Sequence, residues 1–207
     1  MTLRMMTRSL AAALGLTLAH PAVADVATVD GIEYGYTVNA DGASVKLNGI
    51  VTNVNQLPET LTVPETLDGK PVTVIEQKAF AWKPFVSLTL PASLSQEGIS
   101  AGNFRAAGNL TNILVAAGSA HFASVDGVLY SKDGTRLVAY PQARKGASYA
   151  IPEGVRLVDN IAFYDCQDLE KLTIPKSLGV SSYNSATLIA KCPNLVRVEV
   201  TEGNVCF

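Results

Sequence analysis

The sequence predicts a mainly β chain wound as a short solenoid of about six rungs, with little helix. Two observations predict it. A strand-like motif, clearest as LTIP, returns six times along the chain, and the residues that flank it return in the same register. The composition agrees: 48% of the 207 residues are hydrophobic, enough for a continuous core, and only 16% are charged, which argues against a disordered or nucleic-acid-binding chain.

The first 24 residues stand apart from the fold. Arg4 and Arg8 form a positive start, Leu10 to Leu18 an apolar stretch too short to span a bilayer, and Ala22-Val23-Ala24 a small-residue cleavage site before Asp25. That is the pattern of a secretory signal peptide, cut near Ala24. It places the mature protein outside the cell, on the cell surface or in a periplasm. No cysteine follows the cut, so no lipid anchor is expected there, and no later stretch is apolar enough for a membrane helix. The chain from Asp25 onward carries 14 basic and 18 acidic residues, a net charge of −4 that favours solubility and selects no partner.

Residues 25–58 are expected to form an N-terminal β-hairpin cap. Ile32, Tyr34, Tyr36 and Val38 alternate, Asn39-Ala40-Asp41-Gly42 turns, and Val45 and Leu47 resume. A cap here covers the first rung, whose core and strand edge would otherwise be bare. The solenoid then occupies residues 59–207. Its motif reads LTVP at 61–64, LTLP at 88–91, ILVA at 113–116, YAIP at 149–152, LTIP at 172–175 and VEVT at 198–201, with spacings of 27, 25, 36, 23 and 26 residues. Four of the five spacings fall in the period of leucine-rich repeats. Alternation along each rung puts Leu88, Leu90, Leu172 and Ile174 inside. Pro64, Pro91, Pro152 and Pro175 end their strands, because proline has no N–H for a neighbouring rung. At roughly 4.8 Å per strand, six rungs make a stack of roughly 25 Å.

The long spacing contains an insertion at about 122–142. There Val128 and Tyr130 alternate with Leu129, Asp133-Gly134 turns, and Leu137 to Tyr140 return, which reads as a β-hairpin between two rungs. Before most rungs lies a fixed approach: Phe80, Phe104, Phe163 and Leu188 as apolar anchors, then Trp82, Ala107, Cys166 and Cys192, then Phe85, Leu110, Leu169 and Leu195.

Together, VTVIEQKAF (72–80), the small or Cys position, LxxLxIP and FASVDGVLYSKDGTRLVAYP (122–141) resemble BspA-type leucine-rich repeat proteins, over roughly residues 28–207. The resemblance implies a right-handed, horseshoe-like leucine-rich repeat solenoid with a parallel sheet, secretion or surface display in bacteria, and adhesion rather than catalysis. Its implied partners are an extracellular matrix or cell-surface protein or glycan. This chain has few full repeats and no evident cell-wall or sorting segment.

Cys166 and Cys192 hold one position of successive repeats. The structural reading is a buried column of small or apolar side chains, in which a free thiol behaves as a small hydrophobe. A disulfide between them stays open: an oxidising destination favours it, and parallel stacked side chains are poorly disposed for its geometry. Cys206 makes the count odd. Asp165 and Asp168 are expected as turn residues.

Motifs of chemistry are missing. His121 is the one histidine after the leader, there is no G-x-S-x-G, C-x-x-C, H-E-x-x-H or P-loop, and none of the Asp-Gly pairs has calcium-loop spacing. Arg144-Lys145 is too small a basic patch for nucleic acid. No cofactor or metal is expected, and a hydrolase would have to rely on His121. What remains is surface. The outward column of the rungs reads Thr62, Thr89, Leu114, Ala150, Thr173 and Glu199, and the column beside it includes Ser87, Asn112, Lys171 and Arg197. This face is the candidate binding site, suited to an extended or flat partner, although threonine is also simply a good exposed strand residue. A second function is assembly. VTEGNVCF (200–207) matches VAAGSAHF (115–122) in register, so the expectation is either a truncated copy of a longer repeat array or a naturally frayed end, or a sixth rung whose open edge pairs with another chain.

Overall fold

A computed structural model of the protein describes residues 24–179 and 187–204. All of the expected leader except Ala24, together with Cys206 and Phe207, lies outside the described residues.

The chain opens with three antiparallel strands, β1 (Asp25–Val29), β2 (Ile32–Val38) and β3 (Val45–Ile50). The expected hairpin is thus a meander. It gains β1 because Asp30 and Gly31 take φ of 50° and 80°, reversing the chain in two residues. After a 3-10 turn at Val54–Gln56 come β4 (Thr60–Thr62), β5 (Thr66–Leu67) and β6 (Lys70–Ile75), the last running parallel to β3. β7 (Ser87–Leu90) and β8 (Asn112–Val115) stack on β4 in parallel, with Leu61 beside Leu88 and Leu88 beside Ile113. A second meander follows: β9 (Phe122–Val125), β10 (Val128–Ser131) and β11 (Arg136–Ala139). Then come β12 (Ser148–Ala150), β13 (Leu157–Val158), β14 (Phe163–Tyr164), β15 (Lys171–Ile174), β16 (Ile189–Ala190) and β17 (Arg197–Val200). β12, β15 and β17 form a parallel ladder, with Tyr149 beside Leu172 and Leu172 beside Val198. β14 pairs with β16 in parallel, and β11 with β13.

The protein is therefore a mainly β solenoid of six rungs, with Leu88, Leu90, Leu172 and Ile174 buried as the alternation requires. The rungs fall into two ladders of three rather than one of six. Each ladder has the same introduction: a meander entered through a Val-Asp-Gly turn (Asp126 and Gly127 repeat the positive φ of Asp30 and Gly31), a rung, then a strand returning parallel to the last strand of the meander.

The second meander is what parts the ladders. Phe122, Leu129, Val138 and Ala139 belong to the core under β4, β7 and β8, whereas Val128, Tyr130, Leu137 and Tyr140 belong to the core under β12 and β15. A strand pair buried on both faces reads as continuous apolar runs, and VLY and LVAY are such runs. On one side the meander closes β8: the Ile113 amide donates to the Gly127 carbonyl (2.8 Å) and Ser124 Oγ to the Ile113 carbonyl (2.6 Å). On the other, the hydroxyls of Tyr130 and Tyr149 are in contact, and Tyr140 packs on Tyr149 and Phe163 at 4.9 and 5.1 Å between ring centroids. Buried Gln142 bridges the halves, its side-chain amide donating to the Phe104 carbonyl (3.3 Å) and its backbone carbonyl accepting from the Gln167 backbone amide (3.0 Å).

Strand-ending prolines carry a partner that sequence reading overlooked. Glu65, after Pro64, accepts from the amides of Ala92 and Ser93 (2.6 and 3.1 Å), just past Pro91 of the next rung. Glu153, after Pro152, accepts in the same way from Lys176 and Ser177 (2.9 and 3.3 Å), past Pro175. Each carboxylate satisfies amides freed where the strand stops, so the rungs are tied at their exits.

Two stability predictions follow from this packing. Leu129→Ala removes a fully buried side chain from the dividing meander and is expected to cost about 2–5 kcal/mol in chemical denaturation followed by circular dichroism. Gly98→Ala would place a methyl 2.3 Å from the Thr73 carbonyl oxygen and 2.9 Å from that of Ser95. Both obstacles are backbone, so the variant should lose about 1–3 kcal/mol; an unchanged midpoint would contradict this packing.

Candidate functional site

Strand pairing decides which of the candidate face residues are neighbours. Thr62 pairs with Thr89 and Thr89 with Leu114; beside them Thr60 pairs with Ser87 and Ser87 with Asn112. On the second ladder Ala150 pairs with Thr173 and Thr173 with Glu199, beside Ser148, Lys171 and Arg197. The face is thus two patches of two columns each, separated by the second meander, and Leu114 and Ala150 are not adjacent rungs.

The patches differ in chemistry. The first is short and uncharged, with Thr62 and Leu114 exposed and Ser87, Thr89 and Asn112 half-buried. Asn112 is walled in: its Oδ1 lies only 2.5 Å from where a Cβ on Gly127 would stand, and its Nδ2 donates to Thr111 Oγ1 (2.9 Å). The second patch is charged. Lys171 Nζ reaches Glu199 at 2.7 Å and Arg197 lies on the other oxygen at 3.4 Å. The Lys171 ammonium bonded to Glu199 holds its carboxyl below the usual carboxylate range. Two cations around one anion leave this patch with a net positive charge.

Residues that sequence reading set aside are locally engaged. Arg144 donates to the Asp126 carbonyl and lies over the Tyr140 ring at 6.0 Å, and Lys145 pairs with Asp168 at 3.0 Å. His121 is exposed in the loop before β9, on the rim of a groove of about 990 Å³ that also contains the Arg136–Asp159 ion pair (2.5 and 2.8 Å). Among the described residues, no hydrogen bond joins the His121 ring to a serine.

The column of small or apolar side chains holds in three places and breaks at the fourth. Ala107 and Cys166 are buried, the latter 1% exposed, and Cys192 is half-buried. Trp82 is 74% exposed. The reason lies in the backbone. Trp82 takes φ of 56°, like Ala106 (63°), Asp165 (56°) and Lys191 (57°), so it occupies the turn position one residue before the buried column, and the approach to its rung is one residue shorter. The anchors Phe80, Phe104 and Phe163 are buried as expected.

Cys166 and Cys192 are free thiols on successive rungs, brought together by the pairing of Phe163 with Ile189 and Tyr164 with Ala190. Cys192 Sγ donates to the carbonyls of Phe163 (3.4 Å) and Ala190 (3.6 Å). Contact with the Cys192 sulfur, and then burial, push the Cys166 thiol up.

No family model matches the chain, and no curated protein matches its sequence. Among solved structures it is similar to a leucine-rich cell surface protein from Faecalibacterium prausnitzii, at 15% identity and a TM-score of 0.40 over 86% of this chain and 78% of that one. It is also similar to a leucine-rich repeat protein from Eubacterium ventriosum (16%, 0.44, 86% and 72%) and to another from Bacteroides capillosus (17%, 0.40, 84% and 97%). Likeness of this degree carries no partner or activity to the present chain.

The thiol environments make a chemical prediction. In a Cys206→Ala background, a maleimide reagent should label Cys192 well before Cys166 under native conditions, because the first is half-exposed and the second buried with a raised pKa. Mass spectrometry of peptides from a labelling time course reads the order, and equal rates would contradict the placement of Cys166.

Proposed function

We propose that the protein is a secreted, non-enzymatic leucine-rich repeat scaffold of the BspA type, and that it binds an extracellular matrix or cell-surface protein or glycan through the outward columns of its two ladders. The observation that carries this reading is the register. Thr62, Thr89 and Leu114 stand on neighbouring parallel strands whose inner side chains Leu61, Leu88 and Ile113 are locked in core, and Lys171 and Thr173 stand on β15, anchored by buried Leu172 and Ile174, with Arg197 and Glu199 beside them on the paired strand β17. Rigid backbone under the short side chains of the first ladder lowers the entropy lost when a flat partner docks. Leu114 gives the first patch an apolar contact, and the charged trio gives the second its orientation.

The test is binding of the purified protein to immobilised fibronectin, fibrinogen, collagen and mucin glycans, compared with Thr89→Glu/Thr173→Glu. Both positions are half-exposed outward residues, so the double variant should fold, as circular dichroism would verify. Saturable binding reduced at least about tenfold by the double variant is expected, since a buried unpaired carboxylate costs several kcal/mol. Binding to none of the four ligands would remove the adhesion reading.

A second reading has its own observation. Among the described residues β17 has a strand on one side only, and Val196 (86% exposed), Val198 and Val200 are open to solvent around it. An apolar edge strand is a template for pairing with another chain. If the protein self-associates there, sedimentation velocity should show a concentration-dependent oligomer that Val198→Lys abolishes while the circular dichroism spectrum stays unchanged.

A further inference from the structure

A second cluster lies along the turns that precede the rungs, away from the strand faces. Backbone hydrogen bonds set these turns side by side: the Lys78 amide donates to the Gly102 carbonyl (3.4 Å), Trp82 to Ala106 (2.9 Å) and Asp165 to Ala190 (2.8 Å). The result is a cleft of about 400 Å³ lined by Lys78, Trp82, Arg105, Tyr164, Asp165 and Lys191. In rung order it presents an indole, a guanidinium, a phenol and an ammonium.

Three features mark it as more than solvated surface. The first is Trp82, the one tryptophan in the chain, held three-quarters exposed in a left-handed backbone conformation where the other turns carry Ala, Asp and Lys. A large apolar ring left in water has lost its burial energy unless something covers it. The second is Tyr164, which gathers two cations: the Arg105 guanidinium lies 5.1 Å from its ring centre and the Lys191 ammonium 5.6 Å. Both hold its hydroxyl below the usual phenol range. The third is charge. Among the described residues, none of Lys78, Arg105 and Lys191 has a carboxylate within salt-bridge distance, and the one acid of the cleft, Asp165, accepts from Gln167 Nε2 (2.7 Å). The protein is net acidic, yet three cations and one anion line this cleft.

We propose that the cleft of Lys78, Trp82, Arg105, Tyr164 and Lys191 binds an acidic saccharide, a chain whose sugar units carry carboxylate or sulfate. The apolar face of one sugar ring stacks on the Trp82 indole. Its anionic groups, and those of the next units, meet Arg105, Lys191 and Lys78, with Arg105 well shaped for a forked contact to a planar carboxylate. Tyr164 is a positioning residue that holds one cation on either side of it. Cations spread along the stacked turns suit a linear polyanion laid across the rungs. An acidic peptide would satisfy the charges but has no ring face for the indole. This site is independent of the ladder faces proposed above.

Trp82 supplies the readout, because all tryptophan fluorescence of the protein comes from the cleft. The full purified protein would be titrated with a galacturonic acid hexamer, a heparin hexasaccharide, maltohexaose and poly-glutamate, by emission and by isothermal titration calorimetry. Saturable binding is expected for one or both acidic saccharides, and which one names the anionic group; neutral maltohexaose and poly-glutamate should not bind comparably. Trp82→Ala, Arg105→Ala and Lys191→Ala should each weaken calorimetric affinity about tenfold or more, the last two because a charge-assisted hydrogen bond is lost. Trp82→Phe should keep most of it. All three positions are exposed, so circular dichroism should be unchanged, and Thr89→Glu/Thr173→Glu should bind these saccharides as the native protein does. Binding of poly-glutamate as tight as that of the saccharides, undiminished binding by Trp82→Ala, or no heat with either acidic saccharide would overturn the proposal.

Discussion

Everything else in this molecule depends on a meander whose second and third strands, β10 and β11, are buried on both faces. Leu129, Val138 and Ala139 fill the core of one ladder, while Val128, Tyr130, Leu137 and Tyr140 fill the other. Because side chains alternate with a period of two, slipping the pairing by one residue would exchange the sets. Both sets are apolar, so hydrophobicity alone does not forbid the exchange. Tyrosine does. The Tyr130 hydroxyl meets that of Tyr149, and a slip would bury it against aliphatic carbons without a partner, at a cost of about 1–3 kcal/mol. Burial pushes the Tyr140 hydroxyl up to about 12 and that of Tyr149 further, so these phenols stay neutral at any physiological pH.

From that partition the two halves acquire their likeness. A Val-Asp-Gly turn, a meander, a rung and a parallel return strand occur in the same order on either side of it. A proline and a glutamate end each ladder's first rung and fasten it to the next. Stacked units of this kind are held by neighbour contacts, so the surface rides on rungs that the dividing meander and the Glu65 and Glu153 ties keep aligned. The recognition by fixed columns proposed above relies on that alignment. The frame also presents two separate edges, the strand face with its Thr, Leu and ion-pair patches and the turn edge with Trp82 and its cations, which permits two ligands of different chemistry on one scaffold.

Much of this was legible because a repeat is a local pattern copied in register. Period-two alternation determined that Leu88, Leu90, Leu172 and Ile174 face inward, proline determined where strands stop, and the long spacing located the intervening β-structure. The pairing of Thr62 with Thr89 and of Thr173 with Glu199 follows from the same register, since parallel rungs stack like positions on like. By itself, then, the sequence determined the solenoid, its six rungs and the orientation of their side chains.

Tertiary structure alone decided the rest, and the physical reason is that motif spacing counts residues without seeing which backbone conformation absorbs them. A one-residue-shorter approach turned Trp82 out of the buried column and into solvent, although its spacing to Phe85 matches that of Cys166 to Leu169. The apolar runs VLY and LVAY are compatible with a one-faced hairpin; that both faces are buried, splitting six rungs into two ladders, depends on which cores close over them. The gathering of Arg105 and Lys191 on Tyr164 joins turns far apart in the chain, and no local pattern encodes it. It exists only once the rungs have stacked.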